Sequence, residues 1–291
     1  MDTTERQAPP TVVVTGGNRG IGFAVAARLL EEGCDVVLLS RDRNRGERAR
    51  EALARGAASR GPRLVVGDLS SVRTTREAAG ALRDACPRID VLIHNAGVWP
   101  ARRTLTEDGL EQAFVTNHLA PFLLNHELEP RLTASSARVV QVSAGLYVKG
   151  QADPGRTPTG LDFNAMRTYA DTKLCNLLLV PLFAERWQDA GVTVNAVHPG
   201  VIRTGLGDRR GPLGWLLKAV KLTWKSPATG AVPVTRLALS GEVAGLTGRY
   251  FHLTEEQPPA PVAADRALAE RLWAQACELT GVARAPEPDV T

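Results

Sequence analysis

At 291 residues, 44% of them hydrophobic, the chain is long enough to bury a full core, and one α/β domain of this size is ordinary. Its 35 basic and 31 acidic residues leave a net charge of +4, but the two signs are interspersed, so nucleic-acid binding is not indicated. Four cysteines (Cys34, Cys86, Cys175, Cys277) have neither close pairing nor metal-ligand spacing, no leader pattern precedes the first strand and no apolar run would span a bilayer, so a cytoplasmic protein with reduced thiols and no integral membrane segment is expected.

Residues 1–10 are polar and proline-bearing and are expected to be frayed. Thr11-Val-Val-Val-Thr15 then reads as a short buried strand, followed at once by Gly16-Gly17-Asn18-Arg19-Gly20-Ile21-Gly22 and an apolar-periodic helix to about Glu32. Strand, glycine loop, helix is a dinucleotide-binding start. Glycines let the backbone turn tightly against a pyrophosphate, whose charge is stabilised by the N–H groups and dipole at the helix N-terminus. A tight surface turn is the competing explanation of such a loop, and its placement between strand and helix favours the cofactor.

The second strand, 35–39, ends in Ser40-Arg41, where an enzyme selecting NAD would carry an acid for the ribose hydroxyls. Arg41, with Arg19 from the glycine loop, suits the 2′-phosphate of NADP(H) instead. The alternative is a solvated basic face, because Arg43, Arg45, Arg48 and Arg50 continue the charge, with Asp42 and Glu47 interrupting it. Further strands are predicted at 63–66, 90–93, 138–142, 192–197 and 248–252, separated by helical stretches. Seven strands alternating with helices predict an α/β fold with a parallel, doubly wound sheet, without internal repeat or interdomain linker.

Tyr169 and Lys173 stand four residues apart in an apolar helical stretch, on one face. An ammonium beside a phenol favours the phenolate, and such a phenol can exchange a proton with a substrate oxygen near neutral pH. Alone, the pair would read as an aromatic packed in the core and a lysine reaching water. Its company favours chemistry. His94, His118, His126, His198 and His252 form no paired ligand motif with one another or with cysteine, so structural histidines and no metal site are expected. The tail from Arg284 to Thr291 is expected to be flexible.

Taken together, these motifs resemble the short-chain dehydrogenase/reductase family over nearly the whole chain. Thr15 through Gly22 match its glycine loop, Asp68-Leu69 its adenine-contacting pair, Asn95-Ala96-Gly97 its strand-4 motif, and Tyr169 with Lys173 its active-site motif, in the expected order. Pro199-Gly200-Val201-Ile202-Arg203-Thr204 resembles the segment that holds the nicotinamide carboxamide, with Thr204 as the hydroxyl contact. Asn117 matches the asparagine that bends a helix and supports the proton-relay water. The resemblance implies one Rossmann-type domain over 11–283 that binds NADP(H) through Gly16, Asn18, Arg19, Gly20, Ile21, Gly22, Arg41, Asp68, Leu69, Asn95, Ala96, Gly97, Tyr169, Lys173, Pro199, Gly200, Ile202 and Thr204. It implies Tyr169, Lys173 and Asn117 as the catalytic set, a substrate lid around 205–228, and room for a homodimer or homotetramer. The stretch from Gly214 to Trp224, apolar on one side with Lys218 and Lys221 on the other, suits such a lid; a packed surface helix and a membrane-surface helix are the alternatives.

Within the family, softer signals such as His198-Pro-Gly-Val and Gly248-Arg-Tyr-Phe251 are similar to the retinol dehydrogenase-like and WW-domain oxidoreductase-like branch. The membrane anchor common in animal retinol dehydrogenases is not seen, which weakens a transfer of retinol as substrate. The expected activity is NADPH-dependent interconversion of a bulky, largely apolar or aromatic ketone and its alcohol, in specialised metabolism by analogy. The alternatives are acid/base isomerisation, dehydration or cyclisation through Tyr169, or an NADP(H)-binding sensor.

One position departs from the family. Its catalytic serine is the second serine of a Val-Ser-Ser, and here the segment reads Val142-Ser143-Ala144-Gly145, so the match falls on Ala144. Ser143, the neighbour, would point to the opposite side of an extended segment. The serine's hydrogen bond to the carbonyl is of a kind worth roughly a few kcal/mol. Three outcomes compete: another hydroxyl (Ser143, Tyr147 or Thr168) takes over, the substrate brings its own donor, or redox activity is weak or lost. Retained chemistry is favoured, because Tyr169, Lys173 and Asn117 all remain.

Overall fold

The computed structural model describes residues 8–56, 61–202 and 225–283. Its strands are β1 (Thr11–Thr15), β2 (Asp35–Ser40), β3 (Arg63–Val66), β4 (Val91–His94), β5 (Arg138–Val142), β6 (Thr193–His198), β7 (Tyr250–His252) and β8 (Glu255–Glu256). They form one sheet in the order β3-β2-β1-β4-β5-β6-β7-β8. Seven strands run parallel, as the alternation predicts, and two residues of β8 pair antiparallel with β7. That eighth strand is not legible in sequence, since Glu255 and Glu256 are exposed acids with no apolar alternation.

The helices are α1 (Gly20–Glu31), α2 (Arg43–Gly56), α3 (Val72–Ala85), α4 (Gln112–Phe114), α5 (Ala120–Glu127), α6 (Glu129–Thr133), α7 (Ala165–Arg186), α8 (Pro227–Leu239) and α9 (Arg266–Thr280). A parallel sheet covered on both faces needs strands that are apolar on both, which explains the unbroken valine run of β1, where Val12, Val13 and Val14 are all fully buried. Val12 and Val14 pack with Val25 and Leu29 of α1 and Val234 of α8. Val13 belongs to the opposite core, with Leu82 of α3, Phe122 of α5 and Leu177 of α7. Truncating Leu29, Leu82 or Leu177 to alanine would cost about 2–5 kcal/mol.

The sheet order reverses between β1 and β4, so the carboxyl ends of these two strands diverge into opposite directions of winding and leave a crevice between them. Pro10 already belongs to the fold, its carbonyl accepting from the Asp35 N–H at 3.0 Å, so the fraying expected of residues 1–10 does not extend to it. Among the described residues no helix is long and apolar enough to cross a membrane.

Buried histidines serve the packing. His94 Nε2 and Asn125 Oδ1 lie 2.7 Å apart, His118 Nδ1 and Asn176 Oδ1 3.1 Å. Burial pushes both imidazoles down to about 4, so they are neutral at pH 7 and take part as single donors.

Candidate active site

Thr15, the last residue of β1, organises the crevice. Its hydroxyl accepts from the backbone N–H groups of Asn95 and Ala96, both at 3.0 Å, and Asn95 Nδ2 donates back to the carbonyls of Thr15 (2.9 Å) and Gly16 (3.2 Å). The glycine loop and the Asn-Ala-Gly segment are thereby tied together at the switch point. The fit is close enough to require glycine: a Cβ on Gly22 would lie 2.4 Å from Asn95 Nδ2 and 2.6 Å from the Gly16 carbonyl oxygen, and Gly16 itself has φ +66°. Arg19, extended, is the N-cap of α1 and supplies no side-chain hydrogen bond, so the first-turn N–H groups are left for another acceptor.

A cavity of about 660 Å³ opens above these strand ends. Gly16, Asn18, Arg19, Gly20 and Ile21 line it, with Arg41, Asp68, Leu69, Asn95, Ala96, Gly97, Tyr169, Lys173, Pro199, Gly200 and Ile202. These positions, named from the sequence, make up half of the lining. Gly22 is not on the lining; it acts behind it, through its packing on Asn95. Thr204 lies outside the described residues, as do residues 205–224 of the expected lid. Of the remainder, Lys225 bonds back to the Val201 carbonyl at 3.2 Å and Ser226 caps α8, which begins at Pro227.

At the end of β2 the structure adds a group that the sequence placed in the background. Asp42 and Arg45 line the cavity beside Arg41. The Asp42 carboxylate accepts from the Arg45 N–H at 2.9 Å, and that bond holds its pKa below the ordinary carboxylate value. Asp42 is thus occupied at the start of α2, while Arg41 is exposed on the cavity.

Asn117 sits in a π-helical turn, Val115–Leu119, between α4 and α5. Such a turn widens the helix locally, at the asparagine to which the resemblance assigns a helix bend. Its side chain is spent on structure: Oδ1 accepts from the Val98 N–H (2.7 Å), and Nδ2 donates to the Val98 carbonyl (2.9 Å) and Thr172 Oγ1 (3.1 Å). Asn117 is buried behind the cavity wall and fixes the loop after Gly97 to the helix that carries Tyr169.

Lys173 and Tyr169 share one face of α7. Lys173 Nζ donates to the Val142 carbonyl at 3.0 Å, at the end of β5, and lies 5.7 Å from the centre of the Tyr169 ring. Burial pushes the lysine down to about 8. Burial also acts on the Tyr169 phenol, upward from its ordinary value and so against the effect expected of the ammonium. Burial disfavours the phenolate, while Lys173, pushed down only to about 8, is still mostly protonated at pH 7. At neutral pH without cofactor the phenol is therefore protonated, the form that donates.

Of the three hydroxyls that might compensate for Ala144, only Ser143 reaches the cavity. Ser143 and Ala144 both line it, and Ser143 Oγ is buried without a hydrogen-bond partner among the described residues. Tyr147 instead accepts from the Ala260 N–H at 2.9 Å, and Thr168 from the Asn164 N–H at 3.3 Å, both away from the lining. Sequence reasoning missed Trp99, Leu146, Met166 and His198 as cavity residues. Trp99 follows the Asn-Ala-Gly motif by two positions but carries no local signal, because its partner Tyr169 is seventy positions away.

The chain is similar to several known proteins. Human retinol dehydrogenase 13 is 36% identical over 286 residues, covering 94% of this chain and 85% of its own. The WW domain-containing oxidoreductase of Drosophila melanogaster is 32% identical over 271 residues, with 90% and 66% covered. A Streptomyces sp. (strain C5) protein named "Putative daunorubicin C-13 ketoreductase DnrU" is 34% identical over 272 residues, with 93% and 92% covered. A crystal structure of an uncharacterised protein from Mycobacterium paratuberculosis superposes with a TM-score of 0.73 at 27% identity, covering 94% of this chain and 95% of that one. The family model for short chain dehydrogenases matches residues 10–212, and the chain belongs to that family of NAD(P)(H)-using oxidoreductases.

Proposed function

We propose that the protein is an NADPH-dependent oxidoreductase that reduces a bulky, largely apolar or aromatic ketone and runs the alcohol oxidation in reverse. The observation that carries this proposal is the meeting of Tyr169 and Lys173 with the glycine loop in one cavity, whose lining also includes Trp99, stacked on the tyrosine, and the apolar Leu146, Met166 and Val201. The similarity to a protein named for ketone reduction supports the substrate class.

The residues present fit the cofactor. The uncapped first turn of α1 suits a pyrophosphate, Asp68 and Leu69 would flank the adenine, and Arg41 with Arg19 would take a 2′-phosphate. Pro199, Gly200 and Ile202, with Thr204, would hold the nicotinamide end. Bound there, NADPH would supply a hydride for the carbonyl carbon. Tyr169 donates the phenol proton to the developing alkoxide oxygen, and burial keeps that proton in place until it is needed. Lys173 binds the nicotinamide ribose and supplies the next proton along the relay, while Asn117 holds the loop and helix in register.

Isothermal titration of both cofactors tests the preference. NADPH is expected to bind at least several-fold tighter than NADH, and Arg41→Asp to reverse or abolish that order by exchanging a phosphate partner for a repelling acid. Equal affinities in the unaltered protein would sink the assignment. Ala144 is the one observation that favours a second reading, non-redox acid/base chemistry or sensing. In that case ketones would be incubated with NADPH without loss of its absorbance.

A further inference from the structure

The end of β6 brings to the cavity a polar side chain that neither the cofactor nor the proton donor uses. His198 lines the cavity, and neither of its ring nitrogens has a hydrogen-bond partner among the described residues. The ring is fixed all the same. His252, paired with His198 in register on β7, stacks on it with centroids 5.3 Å apart and planes 13° from parallel. The imidazole faces the segment that follows β5: a Cβ built on Gly145 would lie 3.1 Å from Nε2, nearer than to Cδ2 or Cε1. Glycine has no such atom, so Nε2 stands open beside the residue that follows Ala144. A polar group left unpaired in a cavity wall is suited to a ligand, because only a hydrogen bond offsets its desolvation.

Burial, with His252 beside it, pushes the imidazole down to about 4, so at pH 7 the ring has one donor and one acceptor nitrogen. Nδ1 is the fully buried one. A buried N–H is costlier to leave unpaired than a buried lone pair, and this hydrogen-bond accounting assigns the proton to Nε2. The cavity is thereby offered a neutral N–H. We infer that His198 selects the substrate: its Nε2–H donates to a hydroxyl oxygen carried next to the ketone, and that hydroxyl donates in turn to the ketone oxygen, in the space beside Ala144. The inference rests on the reductase proposal and narrows its substrates to ketones with an internal hydrogen bond. A hydroxyl that accepts from an N–H is itself a stronger donor, so the substrate's own group, held by His198, polarises the carbonyl. A ketone without that hydroxyl leaves Nε2–H unpaired, and a site built around a hydrogen bond discriminates against such a mismatch.

Benzophenones supply the probes: 2-hydroxybenzophenone has the internal hydrogen bond, 4-hydroxybenzophenone carries the same hydroxyl out of reach of the ketone, and benzophenone has none. With NADPH, the unaltered protein is expected to show kcat/KM at least about tenfold higher for the 2-hydroxy compound than for either other ketone. In His198→Leu that preference should shrink to within about twofold, through slower reduction of the 2-hydroxy compound alone, while His198→Gln, which keeps an N–H donor, retains part of it. Gly145→Ala is the independent arm. It leaves the imidazole in place and sets a methyl against Nε2, with the same loss expected, and because Gly145 does not occupy the left-handed region its backbone accepts alanine. NADPH affinity and melting temperature serve as controls. An unaltered protein without preference for the 2-hydroxy compound overturns the inference, even where no variant folds, and so does an unchanged preference in folded His198→Leu or Gly145→Ala. Weaker NADPH binding with equal slowing of all three ketones overturns it too, by giving His198 to the cofactor. If no ketone is reduced, the reductase proposal falls, and calorimetric titration of the 2-hydroxy and 4-hydroxy compounds into the NADP(H)-loaded protein decides the role of His198 separately: a 2-hydroxy preference lost in His198→Leu sustains it, and equal binding removes it.

Discussion

Tyr169→Phe is expected to lower ketone reduction by about a hundredfold or more while leaving NADPH affinity within about twofold, because the substitution deletes only the atom that transfers the proton. The ring would remain buried and stacked on Trp99 at 4.6 Å, and the Nζ of Lys173 would keep its bond to the Val142 carbonyl. Little structural disturbance should accompany the loss. Lys173→Ala should behave differently, weakening both turnover and cofactor binding, since a buried bond at the end of β5 is removed together with the charge proposed to bind the ribose. Steady-state rates with a bulky aromatic ketone, set beside NADPH titrations of the same samples, separate the two patterns. Should the phenylalanine enzyme keep most of its rate, the proton comes from another group, and Tyr169 is a wall residue only.

Ala144→Ser is expected to split substrates into two classes. On the proposal that Ala144 stands where the family has its serine, a ketone that carries its own neighbouring hydroxyl already has a polarised carbonyl and should respond by less than about twofold. A simple ketone without such a hydroxyl should gain about tenfold or more, the scale of a single oxyanion donor in a dry site. The position can accept the change. Ala144 is extended at φ −147° and ψ 143°, a conformation that any residue adopts, and its side is open to the cavity. Ser143 sets the opposing outcome: its buried Oγ has no partner among the described residues, and if it already polarises the carbonyl, Ala144→Ser should change neither substrate while Ser143→Ala slows both. Equal acceleration of both substrates would mean that Ala144 is a plain deficiency.

Seven parallel strands and the glycine loop were legible in the sequence because each is a local signal. The valine run of β1 can satisfy a doubly covered sheet, and Gly16 through Gly22 can turn only at its end. Tyr169 and Lys173 were legible for the same reason, as a helix fixes their mutual geometry at four residues. The depth of burial of the phenol was not, since it depends on residues from distant segments, Trp99 among them. Asp42 shows the same limit at β2: charge counting sees an acid among arginines, while the structure shows that acid occupied by the Arg45 N–H. The Asn117 turn lies between these cases, its bend implied by resemblance and its bonds to Val98 and Thr172 visible only in three dimensions.

The central claim is that hydride passes between nicotinamide and a substrate carbon while Tyr169 moves the proton. Incubating the protein with a bulky aromatic ketone and NADPH deuterated on the transferred face of C4, followed by mass spectrometry of the product, tests it most directly. One deuterium on the new carbinol carbon, formed in step with the loss of NADPH absorbance and absent with Tyr169→Phe, is the predicted result. A product isomeric with its substrate, formed without deuterium and with the NADPH unspent, would contradict it.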